Sequence, residues 1–150
     1  MKWTDEKRRV AEAHARRIYS KFVGKVLLVG EVDFYAQDDH LDARPGGLFR
    51  LVSTPDADVV RWCYDFLDPY WNLELIEASD ELDTVLSKET FYEDEGQPHF
   101  WCYGPTIQLD EVGEVAVDPQ ERTGPNLRLP NGEPLSIPHL PFSFPREGLP

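Results

Sequence analysis

His99-Phe100-Trp101-Cys102-Tyr103-Gly104-Pro105-Thr106-Ile107-Gln108-Leu109 is the densest aromatic and apolar run in the chain. Phe, Trp, Tyr and Ile suit a pleated, half-buried surface better than a helix, so the run predicts a central strand. Alternation would put Phe100, Cys102 and Gly104 on one face, and His99, Trp101 and Tyr103 on the other. Proline donates no N–H to a ladder, so Gly104-Pro105 predicts a bulge or a bend within the run.

Upstream, Thr4 predicts the N-cap of a helix of about twenty residues, with Asp5 and Glu6 in its first turn. Val10, Ala11, His14, Ile18 and Phe22 recur at spacings of three and four and form one apolar stripe. Gly24 then supplies the C′ position. Residues 25–36 read as the first strand, with Val32 and Phe34 inward, Glu31 and Asp33 outward, and Gly30 marking a bulge or a close backbone approach. Residues 37–47 read as an acidic loop, and 48–53 as a second strand pairing back. Thr54-Pro55-Asp56-Ala57-Asp58 has an N-cap hydroxyl, a proline at N1 and acids in the first turn. It predicts a second helix to about Leu67, stopped by Asp68-Pro69. Residues 70–78 read as a short strand, followed by a capped helical turn from Ser79 or Asp80. Strands over 89–93 and 113–117 complete the sheet.

The fold class is therefore α+β: a mostly antiparallel sheet of five or six strands, two main helices and a Pro-rich extended C-terminal arm. Residues 1–117 form the single domain expected at this length. Eight of the 13 prolines fall in 118–150, where Leu135, Ile137, Leu140, Phe142 and Phe144 interleave with them. That spacing excludes a helix and a central strand. It predicts an extended arm docked on the domain or on a neighbour, so a homo-oligomer built through the arm is one expectation.

The net charge is −13 and it is unevenly spread. Residues 1–25 carry a net +5, residues 26–117 a net −17, and residues 118–150 a net −1. An acidic body repels phosphates, so nucleic acid is disfavoured as a partner except through the basic face of the first helix. The same field favours a basic protein. Cys63 and Cys102 are far apart in apolar contexts and match no zinc spacing. With no apolar run long enough to span a bilayer, the chain reads as cytoplasmic, with no membrane association.

Chemistry-bearing clusters are sparse, and no cofactor motif stands out. Asp38, Asp39, His40 and Asp42 are the best metal-ligand cluster by type. They match no calcium-loop spacing, so an acidic hairpin tip without metal is the primary reading. Cys102 and His99 would lie on opposite faces of one strand, which argues against a nucleophile–base pair. Tyr35, His99, Trp101 and Tyr103 could line a pocket with Asp33 as general base. In composition, a single acidic domain with exposed aromatics, the chain is similar to protein inhibitors such as the immunity partners of bacterial toxins. The acidic surface, together with that likeness, favours a non-catalytic protein-binding module without a cofactor, with Asp38, Asp39, Asp42, Glu93, Asp94 and Glu95 as the expected contacts to a basic partner. The alternatives are a small pocket enzyme, hydrolase- or isomerase-like, using His99 and Asp33 or the 38–42 loop, and a structural or assembly subunit.

Overall fold

In the computed structural model the described residues are 2–36, 39–53, 59–88, 98–117 and 126–135. In chain order the elements are α1 (Asp5–Phe22), β1 (Val26–Val29), β2 (Val32–Ala36), β3 (Asp39–Ala43), β4 (Gly47–Leu51), β5 (Val60–Cys63) and β6 (Phe66–Ala78). They continue with α2 (Asp80–Lys88), β7 (Phe100–Tyr103), β8 (Ile107–Leu109), β9 (Val115–Val117) and β10 (Leu127–Arg128). The fold is mixed helix and sheet with antiparallel pairing throughout the registers. The described residues hold two helices, but the second is α2, where only a capped turn is expected from the sequence, and they hold ten strands rather than five or six.

The thirteen-residue β6 is the spine. Leu73 pairs with Leu51 of β4 on one edge and with Phe100 of β7 on the other. The earlier half of β6 pairs with β5, and Leu67 meets Ile107 of β8. One path of strands runs β10-β1-β4-β6-β7-β2-β3, while β5, β8 and β9 extend from the start of β6. The sheet therefore curls around α1. Ala11 and Ala15 of the helix face a cluster of Val60, Leu67, Ile107, Val115 and Val117. Ile18, Tyr19 and Phe22 face the larger cluster of Leu27, Phe34, Phe49, Trp71 and Phe100. Small residues in the first half of the apolar stripe let the helix approach closely. Large ones in the second half fill the wider space.

The helix ends as their capping chemistry dictates. The Lys7 amide donates to Thr4 Oγ1 at 3.2 Å, and Gly24 sits past the C-cap at φ +87°. Ser79 caps α2, its Oγ accepting from the Leu82 amide at 3.0 Å.

Several expectations need correction. The helix over 54–67 is not formed across its described part, from Val59 onward. Val60–Cys63 and Phe66 onward are strands joined by Tyr64-Asp65, with Tyr64 at φ +53°. Val60, Trp62 and Phe66 favour a pleated surface, and tertiary pairing with β6 outweighs the local start signal. Pro69 does not stop an element but lies inside β6, opposite Val60. The first strand is two, β1 and β2. They part at Gly30-Glu31, where Asn126 holds the turn. The Gly30 amide donates to the Asn126 carbonyl at 2.8 Å and the Glu31 amide to Asn126 Oδ1 at 2.6 Å. A Cβ on Gly30 would lie 3.0 Å from Asn126 Oδ1, the close approach its position suggested. The acidic loop is in part strand β3, which pairs with β2 over its whole length. The central run is broken at Gly104-Pro105 into β7 and β8, as its composition predicts.

Most of the expected arm, 118–125 and 136–150, lies outside the described residues, as does the expected strand over 89–93. Within 126–135, Leu127 and Arg128 pair with β1, and Leu135 packs against the main core cluster.

Candidate functional site

Phe100 and Cys102 of β7 point into the core, and both are buried. The alternation therefore sends His99, Trp101 and Tyr103 to the sheet face turned away from that core. Strand register assembles a row across four strands there. Asp42 lies opposite Asp33, Asp33 opposite Trp101, and Trp101 opposite Asn72. The rows on either side bring Tyr35 opposite His40 on one flank and Tyr70 opposite Tyr103 on the other.

Rings close over Trp101. His40 stacks on it at 5.6 Å between centroids, and Tyr35 lies at 5.1 Å. Tyr70 stacks at 6.2 Å and His99 tilts against it at 5.5 Å. Trp101 is left 5% exposed, whereas Tyr35 is 53% exposed at the rim. Arg61 already uses this surface, its guanidinium carbon lying 4.5 Å from the centre of the Tyr103 ring.

Carboxylates border the rings. Oxygens of Glu31, Asp33 and Asp42 lie within 4.8 Å of one another. His40 Nε2 is 3.0 Å from Asp33 Oδ1, and Arg44 pairs with Glu31. Partial burial pushes the Asp33 carboxyl above its ordinary range, His40 opposes that shift, and the Asp42 charge adds to it. Burial, together with Tyr103, Tyr35 and Asp33, pushes the Tyr70 phenol up to about 12. Tyr70 therefore stays protonated near neutrality.

A hydrogen-bond chain fixes His99. Its Nε2 donates to Asn72 Oδ1 at 2.8 Å, Asn72 Nδ2 donates to Tyr19 Oη at 3.4 Å, and the Tyr19 hydroxyl donates to the Val52 carbonyl at 2.5 Å. His99 keeps an exposed edge, yet packing against its neighbours desolvates the ring and lowers its pKa from 6.5. The folded state then binds fewer protons than the unfolded state. Stability is full above about pH 6.5 and is lost as pH falls from there through the lowered value. In His99→Gln the denaturation midpoint is expected to fall less steeply over that window than in the parent. Identical slopes would show that the ring is not desolvated.

No family model, curated protein or solved structure matches the chain.

Asp33 and His99 share the outer face, but the imidazole bonded to Asp33 is that of His40. Cys102 is buried on the core side, away from His99. Along β3, alternation puts His40 and Asp42 on the outer face and turns Asp39 from it. The carboxylates that converge with Asp42 are Glu31 and Asp33, from β2 and the residue before it. Asp38, Glu93, Asp94 and Glu95 lie outside the described residues. The sequence does not single out Asn72 and Tyr70, because the strand read over 70–78 carries no clear inward and outward face. A cleft of about 530 Å³ lies elsewhere, lined by Leu28, Pro45, Leu48, Ala78 and Arg128 among others.

Chemically, the face suits a cation. An aromatic ring attracts a guanidinium or ammonium by roughly 0.5–2 kcal/mol. Nearby carboxylates add charge-assisted hydrogen bonds.

Proposed function

We propose that the chain is a non-catalytic protein-binding module, inhibitor- or immunity-like, which receives basic side chains of a partner protein on its outer sheet face. The observation that carries this reading is the ring cluster around Trp101, with Glu31, Asp33 and Asp42 at its border. Binding hot spots are enriched in Trp and Tyr that are shielded by neighbouring contacts, and this cluster has that composition. The surplus of acids in residues 26–117 supplies a steering field for a basic partner. Cys63 and Cys102 form no disulfide, which suits a reducing cytoplasm. Among the described residues no helix is long and apolar enough to cross a membrane.

The test is affinity capture from the source cell at low and at high salt, followed by association kinetics with the captured protein. The expected partner is basic. Its association rate should fall steeply between low and physiological ionic strength, where steering is screened over about 8 Å, and its dissociation rate should change less. A salt-independent association rate would show that the contact is apolar and made elsewhere.

A further inference from the structure

Beyond its first turn, which carries the exposed Asp5 and Glu6, the outward side of α1 has the opposite charge from the body. From residue 7 to residue 25 there are seven Lys or Arg and one acid, Glu12. Glu12 is turned inward, accepting from Trp62 Nε1 at 2.6 Å. Arg8 lies over that same indole at 4.4 Å, and Lys7 donates to the Gly113 carbonyl. Arg9, Arg16, Arg17, Lys21 and Lys25 are exposed, with exposed Ala13 and Ser20 between them. Steps of three and four residues put Arg9, Ala13, Arg16, Arg17, Ser20 and Lys21 on one helical face.

The composition of this stripe selects its partner. A folded protein interface is built around apolar and aromatic anchors, whereas this surface offers no aromatic and only Ala13, Ser20 and, at the helix C-cap, Val23. A helix lying in a membrane surface needs an apolar face to insert, and α1 buries its own against the sheet. A phosphate backbone needs neither, since charge and charge-assisted hydrogen bonds hold it. Arginine, three of the five exposed cations, matches the geometry of phosphate oxygens.

The acidic outer face does not forbid this. It lies on the far side of the sheet from α1. A layer spacing of about 10 Å plus a helix radius of about 5 Å separates the exposed cations from the sheet plane. That is nearly twice the roughly 8 Å screening length at physiological salt.

We propose that the exposed face of α1 binds the phosphate backbone of nucleic acid without reading its bases. The site is independent of the outer sheet face, and either could fail without the other. The test is fluorescence anisotropy of a labelled random-sequence DNA duplex titrated with the full chain over a range of salt. With four or five phosphates engaged, log K should fall against log salt with a slope of about −4. Arg9→Glu with Lys21→Glu should weaken binding at low salt by about tenfold or more and flatten the slope by about 2. Arg9→Lys with Lys21→Arg keeps the charges and should keep the binding. Lys25→Glu, beyond the helix end, should flatten the slope by about 1 even if the double reversal fails to fold. An unchanged anisotropy at low salt overturns the proposal. So does equal binding by a folded double-reversal variant, or binding to polyglutamate or anionic vesicles as tight as to the duplex.

Discussion

Trp71→Ala is expected to lower the unfolding free energy by roughly 3–5 kcal/mol. Trp71 is fully buried at the middle of β6, and the rings of Tyr19 and Phe22 from α1 lie against it at 5.8 and 6.3 Å. Its indole Nε1 donates to the Gly104 carbonyl, which ties the spine to the break between β7 and β8. Alanine would leave a cavity at the junction of helix and sheet and a buried carbonyl without that donor. For a chain of this length the melting temperature should drop by about 10 °C. Trp3→Ala, at a half-buried edge position, should cost far less. Thermal or denaturant melting of the two variants decides it, and equal losses would show that the core lies elsewhere.

The second large effect is expected at Gly47. It opens β4 at φ +125°, a region that residues with a Cβ rarely enter. A Cβ there would lie 2.3 Å from the Glu77 carbonyl oxygen and 2.8 Å from the Ser79 amide nitrogen. Both obstacles are backbone, so they cannot swing aside. Gly47→Ala therefore combines backbone strain with a clash at the β4–β6 pairing, for a cost of about 3 kcal/mol. Gly24→Ala makes the useful contrast. Gly24 also has positive φ, but a Cβ there would meet nothing within 4 Å, so its cost should stay near that of conformational strain alone. Similar melting losses in the two variants would mean that the Gly47 contacts are not as described.

The sequence allowed much of this to be read where local chemistry and tertiary packing agree. Thr4, the apolar stripe of α1 and Gly24 each specify a helix end or face without help from the rest of the chain. The alternation of β7 was legible because large aromatics permit one pleat and little else. The 54–67 segment misled because a start signal acts over one turn, while the β5–β6 ladder is set by residues far away in sequence. No Gly or Asn marks the Tyr64-Asp65 hairpin loop, so the usual sign of a tight turn was missing. Within the site, Asp33 and His99 could be picked out by residue type and strand face. The His40–Asp33 contact could not, because it depends on a register between β2 and β3 that an acidic loop would not possess. Trp101 is buried under the outer rings, and Trp71 is the tryptophan of the main core.

The claim that the outer face is the binding face is tested most directly by hydrogen exchange of the chain, alone and with its captured basic partner. Exchange is expected to slow at residues 33–35, 40–42 and 99–103, with β1 and the cleft around Leu28 and Leu48 unchanged. Protection confined to that cleft or to α1, with the amides of β2, β3 and β7 unaffected, would contradict it.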